Sequence, residues 1–268
     1  MKPNASRYCI RSVVILLLLF VPLLAWAIGP FAIVSDSHVG AKNSVYGTVI
    51  ERLDERNVSM IIHAGDAIDR PGSSKQWAKF LEITGPGKTL HLVPGNHDIY
   101  GEQSLKVYLR FFPRLYYSFF DGDTLFVLLN TELPGQESMV TGEQFSWLVT
   151  ELSRSFRYKF VFLHESPYPI VRLHGLDRHE EPRDRLHRLF VQKGVSLVVA
   201  GHDHIYGRTE REGITYVIAP QTGGWLPPSF VTNGSSFGYI LADRKGSCYS
   251  FTVLDMEGKV KDRFSISR

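Results

Sequence analysis

The chain has 268 residues and a formal net charge of +3, and this length suits one large α/β domain or two small ones. The segment Met1 to Ala27 carries three of the 30 basic residues and no acidic residue, so the remaining 27 basic residues balance the 27 acidic ones. A neutral body without a run of Lys or Arg argues against a nucleic-acid partner.

The segment Met1 to Ala27 has the layout of a secretory signal. Its basic start is followed by an apolar stretch of 12 residues, Val13 to Leu24, which is too short for a comfortable membrane span. The small residues Ala25 and Ala27 predict cleavage after Ala27 and export of residues 28–268 to the periplasm or the cell exterior. An uncleaved N-terminal anchor is the alternative, and it would provide the only membrane contact that the sequence predicts.

The chain has two cysteines, Cys9 in the predicted signal and Cys248 near the C-terminal end. The exported domain therefore keeps one cysteine and forms no internal disulfide. Its stability has to come from the hydrophobic core, with bound metal as a further contribution.

Short apolar runs alternate with helical spacing in the N-terminal part of the domain. We predict strands at Phe31 to Val34, Met60 to His63 and Thr89 to Val93, and helices at Ser44 to Arg56 and Ser73 to Ile83. This strand–helix rhythm is typical of a parallel sheet.

Each of these three strands ends in polar residues. They are Asp36 and His38 after the first strand, Asp66 after the second, and Asn96, His97 and Asp98 after the third. An extended backbone would direct the side chains of Asp36 and His38 to the same side. Because the carboxyl ends of parallel strands meet at one edge of a sheet, we expect these polar groups to converge.

The middle of the chain is less regular. Helical spacing covers Gln103 to Phe112, and the strands Tyr116 to Phe120 and Thr124 to Asn130 flank an Asp-Gly-Asp turn and predict a hairpin. Thr141 and Gln144 have the spacing of a capping box at the start of another helix.

Two further predicted strands end in histidines. Tyr158 to Leu163 precedes His164, and Val195 to Ala200 precedes Gly201-His202-Asp203-His204. Between them we predict a long loop, Glu165 to Pro182, followed by a helix over residues 183–192. The loop is either part of a substrate rim or a solvated insertion.

Strands dominate beyond Arg208. We predict them at Ile214 to Ala219, Phe237 to Ala242, Tyr249 to Leu254 and Val260 to Phe264. The sequence contains no internal repeat and no linker long enough to divide residues 28–268 into domains.

The polar strand ends together offer seven nitrogen and oxygen ligands, which are Asp36, His38, Asp66, Asn96, His164, His202 and His204. These are too many for one tetrahedral zinc. They suit two divalent ions that share a bridging carboxylate and keep open positions for water and substrate. Such a pair clamps the attacking and leaving oxygens of a phosphoryl transfer, and it activates a bridging water as hydroxide near neutral pH.

Five sequence blocks resemble the signature of the calcineurin-like metallophosphoesterases. In chain order they are Asp36-x-His38, Gly65-Asp66, Gly95-Asn96-His97-Asp98, His164 and Gly201-His202-x-His204. Each block alone is unspecific, whereas five in this order make the resemblance specific. It implies a four-layer α/β/β/α sandwich of two mixed β-sheets flanked by helices, with the C-terminal strands in the second sheet.

The resemblance also implies a role for each residue. Asp36, His38 and His204 would hold one ion. Asn96, His164 and His202 would hold the other, and Asp66 would bridge the two. His97 would be no ligand; it would protonate the leaving oxygen or stabilise developing charge, and Asp98 would orient it through a hydrogen bond.

The implied activity is that of an exported, dinuclear-metal-dependent phosphoesterase acting on small phosphomonoesters or phosphodiesters. Purple acid phosphatases carry a metal-bound Tyr three residues after the Asp of the Gly-Asp block, where this chain has Asp69. A tyrosinate-to-iron charge-transfer band is therefore not expected. The mixed nitrogen and oxygen donors suit Mn, Fe and Zn alike. The sequence does not indicate an oligomeric state.

The other histidines are expected to be structural. His63 and His91 would be satisfied core residues, and His174, His179 and His187 would lie at the surface of a loop or helix. A cluster of aromatic residues is more typical of a core than of a substrate platform, and it comprises Phe111, Phe112, Tyr116, Tyr117, Phe119 and Phe120. The competing hypothesis for the whole chain is a non-catalytic binding or scaffold protein on the same fold. Such proteins usually lose ligands, and none is missing here.

Overall fold

The computed structural model of the protein describes residues 29–225 and 237–268. The predicted secretory signal lies outside the described residues, so its structure and its cleavage stay predictions. Within these two stretches, no helix combines the length and the apolar character needed to cross a bilayer.

The first of two sheets has six strands in the order β12-β11-β10-β1-β2-β3. The strands are β1 (Phe31–Val34), β2 (Met60–His63), β3 (Thr89–Leu92), β10 (Gly238–Lys245), β11 (Cys248–Asp255) and β12 (Val260–Ser267). β1, β2 and β3 are parallel, and β10 pairs antiparallel with β1. Every residue of β1 and β2 is buried, which explains why they read as continuous apolar runs.

The second sheet also has six strands, in the order β4-β5-β6-β7-β9-β8. They are β4 (Tyr117–Asp121), β5 (Thr124–Leu128), β6 (Tyr158–Phe162), β7 (Leu197–Ala200), β8 (Gly207–Arg211) and β9 (Ile214–Ile218). β5, β6, β7 and β9 are parallel, and the edge strands β4 and β8 are antiparallel to their neighbours. The β4–β5 hairpin that the Asp-Gly-Asp turn predicts is confirmed.

In residues 29–225 and 237–268, five α-helices cover the outer faces of the sheets. They are α1 (Tyr46–Glu55), α2 (Ser74–Thr84), α3 (Gly101–Phe111), α4 (Gly142–Leu152) and α5 (Glu180–Gln192), with a short 3₁₀ turn at Leu176–Arg178. Buried side chains of α1, α2 and α3 pack on the first sheet, and those of α4 and α5 pack on the second. A third hydrophobic cluster fills the space between the sheets. The four-layer α/β/β/α sandwich is therefore confirmed.

The C-terminal strands differ from the expectation. β10, β11 and β12 extend the first sheet rather than the second, because β10 pairs with β1 in register Phe31 to Ala242. Strand β8 escaped prediction because its sequence is Gly-Arg-Thr-Glu-Arg and most of it is exposed, so no apolar alternation marks it. Helix α5 begins at Glu180, inside the segment predicted as loop.

The predicted capping box of α4 is wrong, although Thr141 is the N-cap residue. Oγ1 of Thr141 donates to Oε1 of Gln136 at 2.7 Å instead. The buried Gln144 side chain pairs with both the backbone N–H and the carbonyl of Asn130, at 2.7 and 2.8 Å. The backbone N–H and carbonyl of Asn130 are buried and cannot bond to water, whereas water can satisfy the N–H groups at an exposed helix start. The Gln144 side chain is therefore directed to Asn130.

Candidate metal centre

The loops that follow β1, β2, β3, β6 and β7 converge at one end of the sandwich. Backbone hydrogen bonds tie them together: the N–H of Asp36 donates to the carbonyl of Gly65 at 2.9 Å, and that of His38 to Asp66 at 3.0 Å. In the second sheet, the N–H of Gly201 donates to the carbonyl of His164 at 2.9 Å. The structure thus brings all seven predicted ligand residues to one place.

A first group of potential ligand atoms belongs to Asp36, His38, Asp66 and His204, and these atoms lie within 4.8 Å of one another. Nε2 of His38 is 3.2 Å from Nε2 of His204 and 3.7 Å from Oδ2 of Asp66. Nε2 of His204 is 3.4 Å from Oδ1 of Asp36. The two carboxylates and His38 are buried, so water screens their charges only weakly.

A second group contains Asp66, His164 and His202, again within 4.8 Å of one another. Nε2 of His164 lies 3.5 Å from Oδ2 of Asp66, 3.1 Å from Oδ1 of Asn96 and 3.2 Å from Nδ1 of His202. Asn96 therefore adds a neutral oxygen to this group.

Asp66 belongs to both groups, which is the arrangement that two neighbouring cations require. Imidazole nitrogens face each other at 3.2 Å in each group, Nε2 of His38 and His204 in the first and Nε2 of His164 and Nδ1 of His202 in the second. A divalent ion would satisfy such converging nitrogen and oxygen donors. The described residues therefore fit two divalent ions.

The backbone at the strand ends is strained. Of the nine non-glycine residues with positive φ in the described chain, five belong to the two groups, and they are Asp36, His38, Asp66, His202 and His204. Their φ values lie between 42° and 70°, a region that L residues occupy rarely and mostly at functional sites. The expectation of an extended backbone at Asp36 and His38 is wrong. Both side chains still reach the site, because the chain turns sharply at each of them.

Two glycines allow the strand ends to approach closely. A Cβ added to Gly65, whose φ is +98°, would collide with the His164 ring. A Cβ at Gly95 would collide with Oδ1 and the backbone nitrogen of Asp66. The glycines of the Gly-Asp and Gly-Asn-His-Asp blocks are therefore required by packing around the ligand residues.

The protonation of the histidines differs across the site. Burial lowers the pKa of His202 to about 2, so its imidazole is neutral and keeps a lone pair for a ligand bond. Burial opposes protonation of His204, but the hydrogen bond and charge of Asp36 outweigh it and raise the pKa to about 9. A cation in the first group would therefore displace a proton from His204.

Asp98 does not orient His97, contrary to the expectation. The Asp98 carboxylate is fully buried and accepts from the backbone N–H groups of Ala67, Ile68 and Gly95 at 3.0, 3.2 and 2.9 Å. Nδ1 of His97 pairs with the backbone carbonyl of Asp69 at 2.7 Å. Asp98 thus joins the loops after β2 and β3, and Asp69 positions the His97 ring.

The carboxylate of Asp69 lies at the edge of the first ligand group. A carboxylate oxygen of Asp69 lies within 4.8 Å of ring nitrogens of His38 and His97. The position occupied by Tyr in purple acid phosphatases therefore carries a carboxylate that borders the first ligand group.

His174 is part of the site, although the sequence predicted a surface position. Its Nδ1 lies 2.8 Å from Oδ1 of the buried Asp203, and its ring stacks on that of His202 with a centroid distance of 4.1 Å. Asp203 lies between the two histidines of the Gly-His-Asp-His block. An acidic residue inside a predicted ligand block was the one sequence feature that could have indicated a further histidine partner. His174 and Val171 line a cavity of about 330 Å³ with the ligand residues, as the rim hypothesis for the loop predicts.

The remaining histidines are structural. His63 is buried and pairs with Oγ of Ser37 at 2.6 Å, as expected for a satisfied core residue. His91 stacks on Phe119 at a centroid distance of 3.7 Å. His187 is buried rather than exposed, because it pairs with the Tyr216 hydroxyl at 2.7 Å. Most of the aromatic cluster packs on the core, and none of it lines the cavity.

Comparison with known proteins gives consistent results. The sequence model of the calcineurin-like phosphoesterase family matches residues 29–206. Purple acid phosphatase 23 of Arabidopsis thaliana is 29% identical over 197 residues, which are 65% of this chain and 41% of that protein. The chain therefore spans less than half of this relative.

Solved structures share the fold at lower identity. A purple acid phosphatase from yellow lupin (Lupinus luteus) seeds superposes with a TM-score of 0.74 at 18% identity, over 90% of this chain and 54% of that one. GAP50, described as the anchor in the inner membrane complex of Plasmodium, superposes with a TM-score of 0.67 at 12% identity, over 89% and 88% of the two chains. The same architecture thus occurs in a phosphatase and in an anchor protein.

The contacts of Asp98 predict a large effect on stability. Asp98→Ala leaves three buried N–H groups without acceptors, and we expect it to lower the free energy of unfolding by about 3 kcal/mol or more. Asp98→Asn keeps one oxygen acceptor and should lose less. Asp184→Ala is the control. Within the described part of the chain this carboxylate is 45% exposed and its ion pair is with the neighbouring Arg183, so we expect a loss below about 1 kcal/mol. Denaturant unfolding measures all three, and equal losses for Asp98→Ala and Asp184→Ala would contradict the structural role of Asp98.

Proposed function

Because the chain belongs to the calcineurin-like phosphoesterase family, we propose that it hydrolyses small phosphate esters at a centre of two divalent cations. The observation that carries this proposal is the pair of ligand groups that share Asp66. A single structural ion would need only one of these groups, whereas two adjacent ions are the arrangement used to clamp a phosphoryl group in transfer.

In this proposal each ligand residue has one role. Asp36, His38 and His204 hold the first ion. Asn96, His164 and His202 hold the second, and Asp66 bridges them. Nitrogen and oxygen donors of this kind suit Mn, Fe or Zn. Bound there, the cations supply the charge that stabilises the transferring phosphoryl group and the acidity that activates a water near neutral pH.

Residues that are not metal ligands hold the Asp66 carboxylate in position and provide proton donors for the substrate. The backbone N–H of His97 donates to Oδ1 of Asp66 at 2.7 Å and so holds the shared carboxylate in place. Because Nδ1 of His97 pairs with the Asp69 carbonyl, Nε2 is the atom that can give a proton to the leaving oxygen. His174, held by Asp203, is a second imidazole at the cavity wall that can donate to a phosphate oxygen.

The alternative remains a non-catalytic scaffold or anchor. The fold alone does not decide between the two hypotheses, because GAP50, described as an anchor, has the same architecture at 12% identity. The full ligand set of this chain favours the enzyme, and metal content separates the two hypotheses.

Metal binding gives the first test. We expect two manganese ions per purified chain by elemental analysis after equilibrium dialysis. Asp66→Ala should lose both ions, since both groups depend on this carboxylate, and His202→Ala should lose one. His179→Ala is the matched control, because this exposed histidine belongs to neither group. Retention of both ions by Asp66→Ala would refute the shared-carboxylate arrangement.

Hydrolysis gives the second test. With added manganese, we expect turnover of 4-nitrophenyl phosphate or bis(4-nitrophenyl) phosphate that a chelator reduces to background. His97→Ala should lower kcat by about 10²- to 10⁴-fold while both ions stay bound, as expected for the loss of a proton donor. The faster of the two substrates identifies the preference for a monoester or a diester. Turnover that persists in excess chelator would exclude a metal-dependent reaction.

We also propose that the chain is exported and cleaved after Ala27, on the support of its basic start and short apolar core. N-terminal sequencing of the exported protein should then begin at Ile28. An intact Met1 on membrane-bound protein would instead identify the segment as an anchor.

A further inference from the structure

Two exposed apolar side chains, Val171 and Trp225, line the cavity at the metal centre. Nine large hydrophobic residues of the described chain are notably exposed, and four of them are Ile170, Val171, Leu173 and Trp225, with exposed fractions of 49%, 37%, 55% and 69%. Val171 and Trp225 line the cavity itself. Ile170 and Leu173 neighbour Val171 in the same loop, and Ile170 lines a separate cavity beside Gly207. We call these four residues the apolar rim. Exposed apolar side chains in the wall of a cavity that also holds potential metal ligands are typical of a binding surface.

The apolar rim is held against the metal centre by hydrogen bonds. The carbonyl of Trp225 accepts from Nδ1 of His204 at 2.9 Å. The backbone N–H groups of Ile170 and Val171 donate to Oδ2 of Asp203 at 2.5 and 3.3 Å. The same Asp203 holds His174, so the rim is positioned together with the ligand groups.

The backbone of the rim is itself strained. Leu173 has a φ of +58°, which is unusual for a leucine. Its N–H donates to Oδ2 of Asp177 at 2.6 Å, and its carbonyl accepts from Nε of Arg178 at 2.9 Å. These bonds hold a large apolar side chain in an exposed position despite the local cost.

The cavity wall offers no fixed positive charge beyond the centre. Among the described residues, no Lys or Arg lines the cavity, and its carboxylates, Asp66 and Asp203, are already engaged by histidines. The part of a substrate that extends past the phosphate therefore meets Val171 and Trp225 rather than ionic partners. A polar or charged substituent would gain no hydrogen bond or ion pair from the Val171 and Trp225 side chains.

We propose that the substrate's phosphate carries an apolar ester group, alkyl or aryl, which binds between Val171 and Trp225. This inference rests on the proposed phosphoesterase function and adds the substrate class. Burial of the ester group against the rim supplies binding energy, while the centre engages the phosphate.

Binding of phosphonates tests the inference without any need for turnover. Each fully buried methylene strengthens binding by up to about fourfold, so butylphosphonate should bind the manganese-loaded full chain at least about tenfold more tightly than methylphosphonate. Calorimetry measures both. Trp225→Ala and Val171→Ser should each reduce this ratio to below about threefold while the metal content and the methylphosphonate affinity stay unchanged. Phe120→Ala is the control, because Phe120 is 59% exposed and does not line the cavity.

Hydrolysis distinguishes the kinds of ester. The butyl and methyl 4-nitrophenyl phosphodiesters share one leaving group, and the proposal expects the butyl ester to have the higher kcat/KM, with the difference lost in Trp225→Ala. Equal affinities of the two phosphonates for the wild-type chain would overturn the apolar-ester inference, whatever the turnover. Chain-length-dependent binding without turnover would sustain the binding of an apolar group at the rim and would count against the hydrolase proposal.

A second copy of the chain is the other occupant that an apolar rim would accept. In that case light scattering would show a dimer for the wild-type chain and a monomer for Trp225→Ala. The ratio of butylphosphonate to methylphosphonate affinity would be the same in both. That result would overturn the substrate assignment.

Discussion

The shared carboxylate of Asp66 is the interaction on which the architecture of the site depends. It is 1% exposed, and its oxygens lie near His38, His164 and the His97 backbone at once. A buried anion without compensation is costly, so the loops of both sheets have to bring positive partners to it. Burial opposes ionisation of Asp66, but the charge of His164 outweighs it and keeps the pKa well below its usual range. The strand ends, the glycines and the left-handed backbone all serve this one convergence.

The inner half of the site was predictable from sequence, because it follows from the periodicity of the strands. β1, β2, β3, β6 and β7 are short buried runs, and the polar residues that end them stand out. Once these strands are taken as parallel, Asp36, Asp66 and Asn96 have to meet at one edge. The assignment of the two ligand groups came from the resemblance to a family and stays a proposal; the structure shows that the side chains lie close together.

Other features of the site could not be predicted, because they depend on backbone geometry or on contacts between residues that are distant in sequence. No pattern indicates that Asp98 accepts from Ala67 and Ile68, since an Asp after a His looks the same in either role. The left-handed φ of His38 follows from the hydrogen bond between its N–H and the Asp66 carbonyl, which exists only after the sheets form. His174 reaches the site because Asp203 holds it from a loop 29 residues away. Tertiary partners, rather than local propensity, decide such positions.

The order of the ligands along the chain links the site to folding. Residues 36, 38, 66 and 96 come from the first sheet and residues 164, 202 and 204 from the second, so neither ligand group is complete until the two sheets have docked. Cations that bind the docked state and not the separated sheets add their binding free energy to its stability. The one described cysteine, Cys248, is free, so no disulfide among the described residues joins the two sheets. Bound metal ions would then cross-link the two sheets instead. Chelation would then destabilise the sandwich as a whole, and thermal unfolding would report metal occupancy without any need for turnover.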